Sequence, residues 1–413
     1  MKNESLAQPF QETDHWRSLY NMLLGYLPRG VVANETEPPH FSGYDRQVLY
    51  DWDQYFEAIV QLYAGYPSFY ARNGVERFLR FQTAEGRVPR SLNRKDQTRP
   101  KHWDMAKPFL AQTLLLIEQA DGTEGETPEN HLAALEKALA FWDGPECNPR
   151  GAGLSVMSFC GQMMDGLWER GGFHGEEDHF SEAVDLNAYL VREARCLAQL
   201  AENQGQVARA GVWRDWADRK AEAMNRWLWN EEDGLYYDFH AREKRPIPVK
   251  CVSTFMPLWA GVADSRQADR LVREHLLNEA EFWRPWPVPA LAADEPGYVV
   301  GRWRENEIGC SWRAHTWAPT NYMTMHGLVR YGFRAEAAAL ARKSAALFSK
   351  QPFQEYWGTE SGQGTGIKPF WGWSALFLFA EMELAQGADP TRIEARNDSI
   401  ALVRKAVRRH LFK

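Results

Sequence analysis

The sequence predicts an all-α chain built as an α/α toroid, with an inner ring of helices, an outer ring and a pocket at one mouth. Three observations point there. Apolar residues return every three to four positions between cap signals in about a dozen segments. Those segments come in consecutive pairs. Long loops rich in Gly, Pro and Trp separate the pairs. An irregular all-α domain is the alternative that the same pattern allows.

Thr13-Asp14 opens the first helix, 13–26, which carries Trp16, Leu19, Tyr20, Leu23 and Leu24 on one stripe. Residues 51–64 present Trp52, Phe56, Ile59, Val60 and Tyr63, and 67–81 begin with a proline suited to a first turn. Residues 106–119 are strongly apolar, and Thr127-Pro128-Glu129 starts a helix that ends near Trp142-Asp143-Gly144. Segments 181–204 and 206–229 make a hairpin turning at Gly205. A short pair follows at 253–261 and 265–277, then 312–331 with 334–349 about Gly332, and finally 372–386 and 390–410. Strand-like alternation is scarce. The loops at 85–101, 145–180, 281–310 and 351–371 hold too many aromatic residues for disorder, which points to functional loops.

The chain has 413 residues, 44% hydrophobic and 25% charged, an ordinary globular composition. At about 150 residues per domain two or three domains would fit. No composition shift or linker marks a boundary, so one catalytic domain over 1–413 is expected, with 1–12 as a flexible N-terminal segment. A net charge of −7 excludes the concentrated basic face that nucleic acid requires and argues against an anionic membrane surface. No apolar run approaches the roughly 18 residues that span a bilayer, and the N-terminus lacks a signal-peptide core. The five cysteines are scattered, with no CxxC pair, which makes a reduced, cytoplasmic setting the default. The 18 Trp, 15 Tyr and 21 Phe make 13% of the chain aromatic. Such an excess serves either a large core or a pocket that stacks the C–H faces of sugars.

Four segments concentrate carboxylates, Trp and Gly. In Tyr50-Asp51-Trp52-Asp53-Gln54, both Asp residues suit a helix start as caps; alternatively Asp53 accepts sugar hydroxyl protons beside a stacking Trp52. In Met163-Met164-Asp165-Gly166-Leu167-Trp168, an Asp among apolar neighbours suits a general acid of raised pKa, or a plain turn Asp before glycine. In 309–322, Trp312 and Trp317 suit the walls of a sugar site with Arg313 and Asn321 as donors, or a packed helix entrance with a buried Arg; His315 reads as structural. In Glu355-Tyr356-Trp357-Gly358, Glu355 suits a base on a pocket floor, and Glu360 is the solvated competitor. His315 has no second His or acid at metal-ligand spacing beside it, and neither a metal nor a cofactor is expected. The GxSxG, GxxxxGK[ST] and strand-linked GxGxxG motifs are missing.

In order along the chain, these segments resemble the α/α-toroid glycosidases of glycoside hydrolase family 63, with its glucosylglycerate and mannosylglycerate hydrolases, and more distantly the trehalases. The matching stretches are Trp52-Asp53-Gln54-Tyr55-Phe56, Gly86-Arg87-Val88-Pro89-Arg90-Ser91-Leu92-Asn93, Lys107-Pro108-Phe109-Leu110-Ala111-Gln112, Val184-Asp185-Leu186-Asn187, Trp312 to Tyr322, Glu355-Tyr356-Trp357 and Trp373-Ser374, within residues 45 to 385. The resemblance implies an (α/α)6 toroid and inverting hydrolysis of a small α-glucoside or α-mannoside, a glycerate conjugate or a disaccharide. It implies Asp165 as acid and Glu355 as base. It further implies Asp53, Gln112, Trp312, Arg313 and Trp317 around the sugar, with Trp357 and Trp373 as weaker candidates. Arg90, Lys107 and Arg192 are candidate partners for a glycerate carboxylate. The chain departs from the family around the acid: Gly166-Leu167 follow Asp165, and Cys160 stands where relatives often carry a Trp. Glu169 is the first substitute acid, then Glu176, Glu177 or Asp178. The alternatives to hydrolysis are a catalytically impaired carbohydrate-binding protein on the same fold and a toroid sugar epimerase.

Overall fold

The computed structural model describes residues 13–33, 37–43, 48–93, 105–156, 180–286, 288–301, 312–394 and 396–411. Among them the α-helices are α1 Asp14–Tyr26, α2 Asp53–Tyr63, α3 Phe69–Arg80, α4 Leu110–Asp121, α5 Glu129–Asp143, α6 Val184–Asn203, α7 Val207–Trp227, α8 Met256–Ala260, α9 Ser265–Arg270, α10 Ala318–Arg330, α11 Arg334–Lys350, α12 Leu376–Gln386 and α13 Ser399–Leu411. Local chemistry sets their ends. The Thr13 hydroxyl accepts the Trp16 N–H at 3.1 Å and starts α1. Asp264 and Gln267 form a reciprocal capping box at α9. Gly122, at φ +68°, ends α4 in a left-handed turn that a side chain would strain.

The packing is cyclic. Helix α2 touches α4, α4 touches α6, α6 touches α8, α8 touches α10, α10 touches α12, and α12 returns to α2. Five others lie against this ring: α3 on α2 and α4, α5 on α6, α7 on α6, α11 on α10 and α12, and α13 on α12 and α2. Burial separates the two sets. Every residue of α2 is buried, as is α10 from Ala318 to Leu328, whereas α7 and α11 bury one stripe each. A helix buried all round belongs to the core, and a striped one faces solvent. A polar network inside the ring joins α10, α12 and the turn after it. There the Tyr322 hydroxyl donates to Glu383 at 2.8 Å, and His326 lies 3.0 Å from Glu383 and 3.2 Å from Asp389. These buried groups find their partners in one another, as a low-dielectric interior requires. No described helix is long and apolar enough to cross a membrane.

Several helices begin later than the sequence predicts. The helix expected from residue 106 starts at Leu110, because Met105 bridges to Pro89 and the Lys107 N–H is taken by Asp51. The helix expected from 312 starts at Ala318, because His315–Thr316 pairs as a strand with Tyr356–Gly358. The last helix starts at Ser399, after a turn in which Asp389 holds Thr391 and the Asp389 carbonyl accepts from Asn397. Short strands of two or three residues form five small sheets among the described residues. Runs that short carry no readable alternation in sequence.

Candidate active site

Site chemistry gathers where the ring helices begin. Strand Tyr356–Gly358 pairs antiparallel with His315–Thr316 on one side and Gly364–Thr365 on the other. Successive residues of a strand face opposite ways. Tyr356 turns to Trp317 and stacks on it at 4.3 Å and 18°, and Trp317 stacks on Trp312 at 3.9 Å and 10°. Trp52, just before α2, lies 6.3 Å from Trp312 and 6.1 Å from Trp373, and Trp373 lies 6.1 Å from Trp317. Trp52 also meets Phe109 before α4 and Tyr189 in α6. A cluster of indole and phenol rings thus joins the starts of α2, α4, α10 and α12 with the first turns of α6.

Two carboxylates lie at this cluster. Asp53 is the first residue of α2 and 4% exposed, and its Oδ1 has no hydrogen-bond partner among the described residues. Burial first, and then the charge of Asp51, raise its pKa well above the usual range, while Lys107 and Arg90 pull it back. Asp51 does not cap its helix. Its Oδ2 accepts the Lys107 backbone N–H at 2.7 Å and lies 3.6 Å from Lys107 Nζ, which ties the start of α2 to the approach to α4. The Lys107 ammonium sits 5.2 Å from the centre of the Trp52 ring, and the Arg90 guanidinium lies over Tyr50. The second carboxylate, Glu355, is also 4% exposed. Its Oε2 accepts the Ile367 N–H at 2.8 Å, and its carbonyl accepts the Trp373 indole N–H at 3.3 Å. Gly366, at φ +78°, leaves the space this carboxylate fills: a Cβ there would collide with Glu355 Oε2.

The structure therefore brings together Trp52, Asp53, Trp312, Trp317, Trp373 and Glu355, with Arg90 close enough to act on Asp53. Other expected residues are tied up elsewhere. The Gln112 amide donates to the Pro108 carbonyl at 2.8 Å and accepts from Arg192 at 3.3 Å. The Asn321 amide donates to the carbonyls of Val288 and Trp317, both at 3.0 Å. Arg313 is buried and reaches the Gly297 carbonyl. Trp357 faces the opposite side of its strand, stacks on Phe377 of α12 and donates to the Gln351 carbonyl. Arg192 lies inside the ring, bonded to the carbonyls of Trp259 and Thr391. Glu360 pairs with Arg284 at the surface. His315 meets the edge of Tyr356, and burial pushes its pKa down to about 4. Asp165 and its substitutes Glu169, Glu176, Glu177 and Asp178 lie outside the described residues. Sequence reasoning missed Glu57, a second buried acid four residues after Asp53; that spacing was its only signal. Among the described residues no group of His, Cys, Asp and Glu is arranged to hold a metal ion.

Known proteins share this architecture. A mannosylglycerate hydrolase of Thermus thermophilus is 33% identical over 203 residues, 48% of this chain and 44% of that protein. The mannosylglycerate hydrolase of Rubrobacter radiotolerans is 30% identical over 195 residues, 47% of this chain and 42% of that protein. The matched region thus spans less than half the length of these curated relatives. The crystal structure of a GH63 mannosylglycerate hydrolase from Thermus thermophilus in complex with glucose superposes with a TM-score of 0.66 at 20% identity, covering 87% of this chain and 99% of that one. The same enzyme in complex with Tris and D-glycerate gives 0.66 at 22% identity, with the same coverage. The family model for the mannosylglycerate hydrolase MGH1-like glycoside hydrolase domain matches residues 161–374, just over half of the sequence, and the chain belongs to that family.

Proposed function

We propose that the six cyclically packed helices are the inner ring of an (α/α)6 toroid, and that the chain is an inverting α-glycosidase. Its substrate is a small α-mannoside or α-glucoside, a glycerate conjugate or a disaccharide. Asp165 protonates the glycosidic oxygen as the aglycone leaves. Glu355 takes a proton from a water that attacks the anomeric carbon from the opposite face, so an α-glycoside releases a β-sugar. Such a pair stands about 6.5–9.5 Å apart to admit the water. Asp53 accepts sugar hydroxyl protons, and Trp52, Trp312, Trp317 and Trp373 wall the ring's apolar faces. Gln112, Arg313 and Asn321 support those walls from behind, and Trp357 anchors its strand to α12 instead. Arg90 meets a carboxylate on the aglycone.

The observation that carries this reading is the setting of Glu355. It is a buried carboxylate held by the Ile367 N–H, with its backbone bonded by Trp373, one of the rings packed round Trp52 beside Asp53. The names of the relatives support the substrate class: two are mannosylglycerate hydrolases, and a structural neighbour binds glucose and D-glycerate. The test is turnover of α-mannosylglycerate and α-glucosylglycerate by Glu355→Gln and Asp165→Asn. Each substitution is expected to lower kcat by about 10²–10⁴-fold, the usual contribution of a positioned acid or base. An unchanged rate for Glu355→Gln would remove it from the mechanism. Sugar binding without cleavage by the unaltered protein would point instead to a carbohydrate-binding protein on the same fold.

A further inference from the structure

Glu57 has no part in the proposed chemistry, yet it is one of the most enclosed acids in the ring. It follows Asp53 by four residues on α2, so the two acids lie one turn apart on the same face. It is 1% exposed. Its Oε2 accepts a long bond from the Gln54 amide at 3.3 Å, and that amide also donates to the Phe41 carbonyl at 2.8 Å. Two glycines make its space. A Cβ on Gly43 would collide with Glu57 Oε1, and a Cβ on Gly372 would lie 2.8 Å from the same atom. The Glu57 side chain is therefore wedged between the 41–43 stretch and the 370–373 turn, and that turn carries Trp373.

We propose that Glu57 is a positioning residue: as a neutral carboxylic acid it spaces α2 from Gly43 and Gly372 and fixes Trp373 against Trp52. The inference rests on the reading of Asp53 and Trp373 as sugar-binding residues. The surroundings favour the neutral form. Among the described residues, the 41–43 and 370–373 stretches that close on Glu57 present no titratable side chain. Asp53 on its own helix is the charged group that acts on it, and the cations Lys107 and Arg90 act on Asp53 instead. Burial and the Asp53 charge both favour the proton on Glu57, while the Gly43 N–H and the Gln54 amide pull the other way. A glutamine has nearly the shape of a protonated glutamate, so it should take over the role.

The experiment compares Glu57→Gln and Glu57→Ala with the unaltered protein, using D-glucose as the probe. Infrared difference spectra at neutral pH should show that Glu57→Gln loses a protonated-carboxyl band. D-glucose affinity should stay within about twofold in Glu57→Gln and fall by about tenfold or more in Glu57→Ala, where 1.4 kcal/mol is one decade. Loss of a carboxylate band in Glu57→Gln overturns the proposal. So does a Glu57→Gln protein that binds glucose as weakly as Glu57→Ala, or one that does not fold. The infrared and folding readouts stand whether or not Glu57→Ala folds. If the unaltered protein binds no D-glucose, the sugar-site reading fails, and those two readouts still judge Glu57.

Discussion

Trp317 and Trp357 are equally buried, at 1% and 0% exposure, and lie close together where two strands pair, yet they have different work. Trp317 is the middle ring of the stack between Trp312 and Tyr356. Trp357 stacks on Phe377 and anchors the strand to α12 through the core. Truncating either to alanine opens a cavity worth about 3–5 kcal/mol. For Trp317, about 1–3 kcal/mol of that comes from its two stacked pairs, at about 0.5–1.5 each. For Trp357, one stacked pair and the indole bond to Gln351 contribute a similar sum, with about 0.5–1.5 kcal/mol for the bond. Urea unfolding followed by fluorescence should therefore show comparable losses. Calorimetric titration with D-glucose should separate the two variants. Trp317→Ala should bind about tenfold more weakly or worse, because Trp312 and Tyr356 lose the ring that spaces them, and Trp357→Ala should stay within about twofold. The reasoning is refuted if Trp357→Ala weakens glucose as much as Trp317→Ala, or if Trp317→Ala leaves binding untouched.

Three further outcomes follow from the same geometry. Burial lifts the Glu193 carboxyl from 4.5 to about 7, although it accepts the Ala111 N–H at 2.7 Å and the Gln112 N–H at 3.2 Å. The folded chain keeps this proton over a range where the unfolded chain has released it, so stability from this group falls as pH rises from 4.5 to 7, by about 3 kcal/mol in all. The Tm of the unaltered protein minus that of Glu193→Gln should fall across that range; a flat or rising difference contradicts the assignment. Gly366→Ala should displace Glu355 and lower kcat on α-mannosylglycerate by roughly 10²-fold, the scale set by about 1 Å of misplacement; an unchanged kcat would show that the Gly366 turn does not hold the base. Arg150→Met should cost about 3–5 kcal/mol in urea unfolding, because it strands the fully buried carboxylate of Glu182. Arg266→Met, which breaks an exposed pair with Glu231, is the control and should barely move the transition.

Much of the helical frame was legible because the apolar period of α1, α6, α7 and α11 is local. The starts of the ring helices were not, and that is where the candidate site sits. The stretch at 105–109 is held by Asp51 and Pro89, and the stretch at 312–317 by the 356–358 strand, partners distant in sequence. Neither tie leaves a mark in a short window. Trp52, Asp53, Trp312, Trp317, Trp373 and Glu355 stood out as Trp and carboxylates in short motifs, and packing gathers them. Which way a ring faces was hidden: Tyr356 and Trp357 look alike in sequence, and only strand register sends one to the Trp317 stack and the other to Phe377. Glu57 was hidden for another reason. An acid within a helix usually marks the solvent side, and here the 41–43 stretch and the 370–373 turn, distant in sequence from each other, enclose it.

The most direct test of the account is the anomeric form of the sugar at the moment of release. Proton NMR of α-mannosylglycerate or α-glucosylglycerate turnover, recorded before mutarotation, should show the β-anomer first. Appearance of the α-anomer first would mean that no water enters opposite the leaving group, and the pairing of Glu355 as base with Asp165 as acid would be wrong.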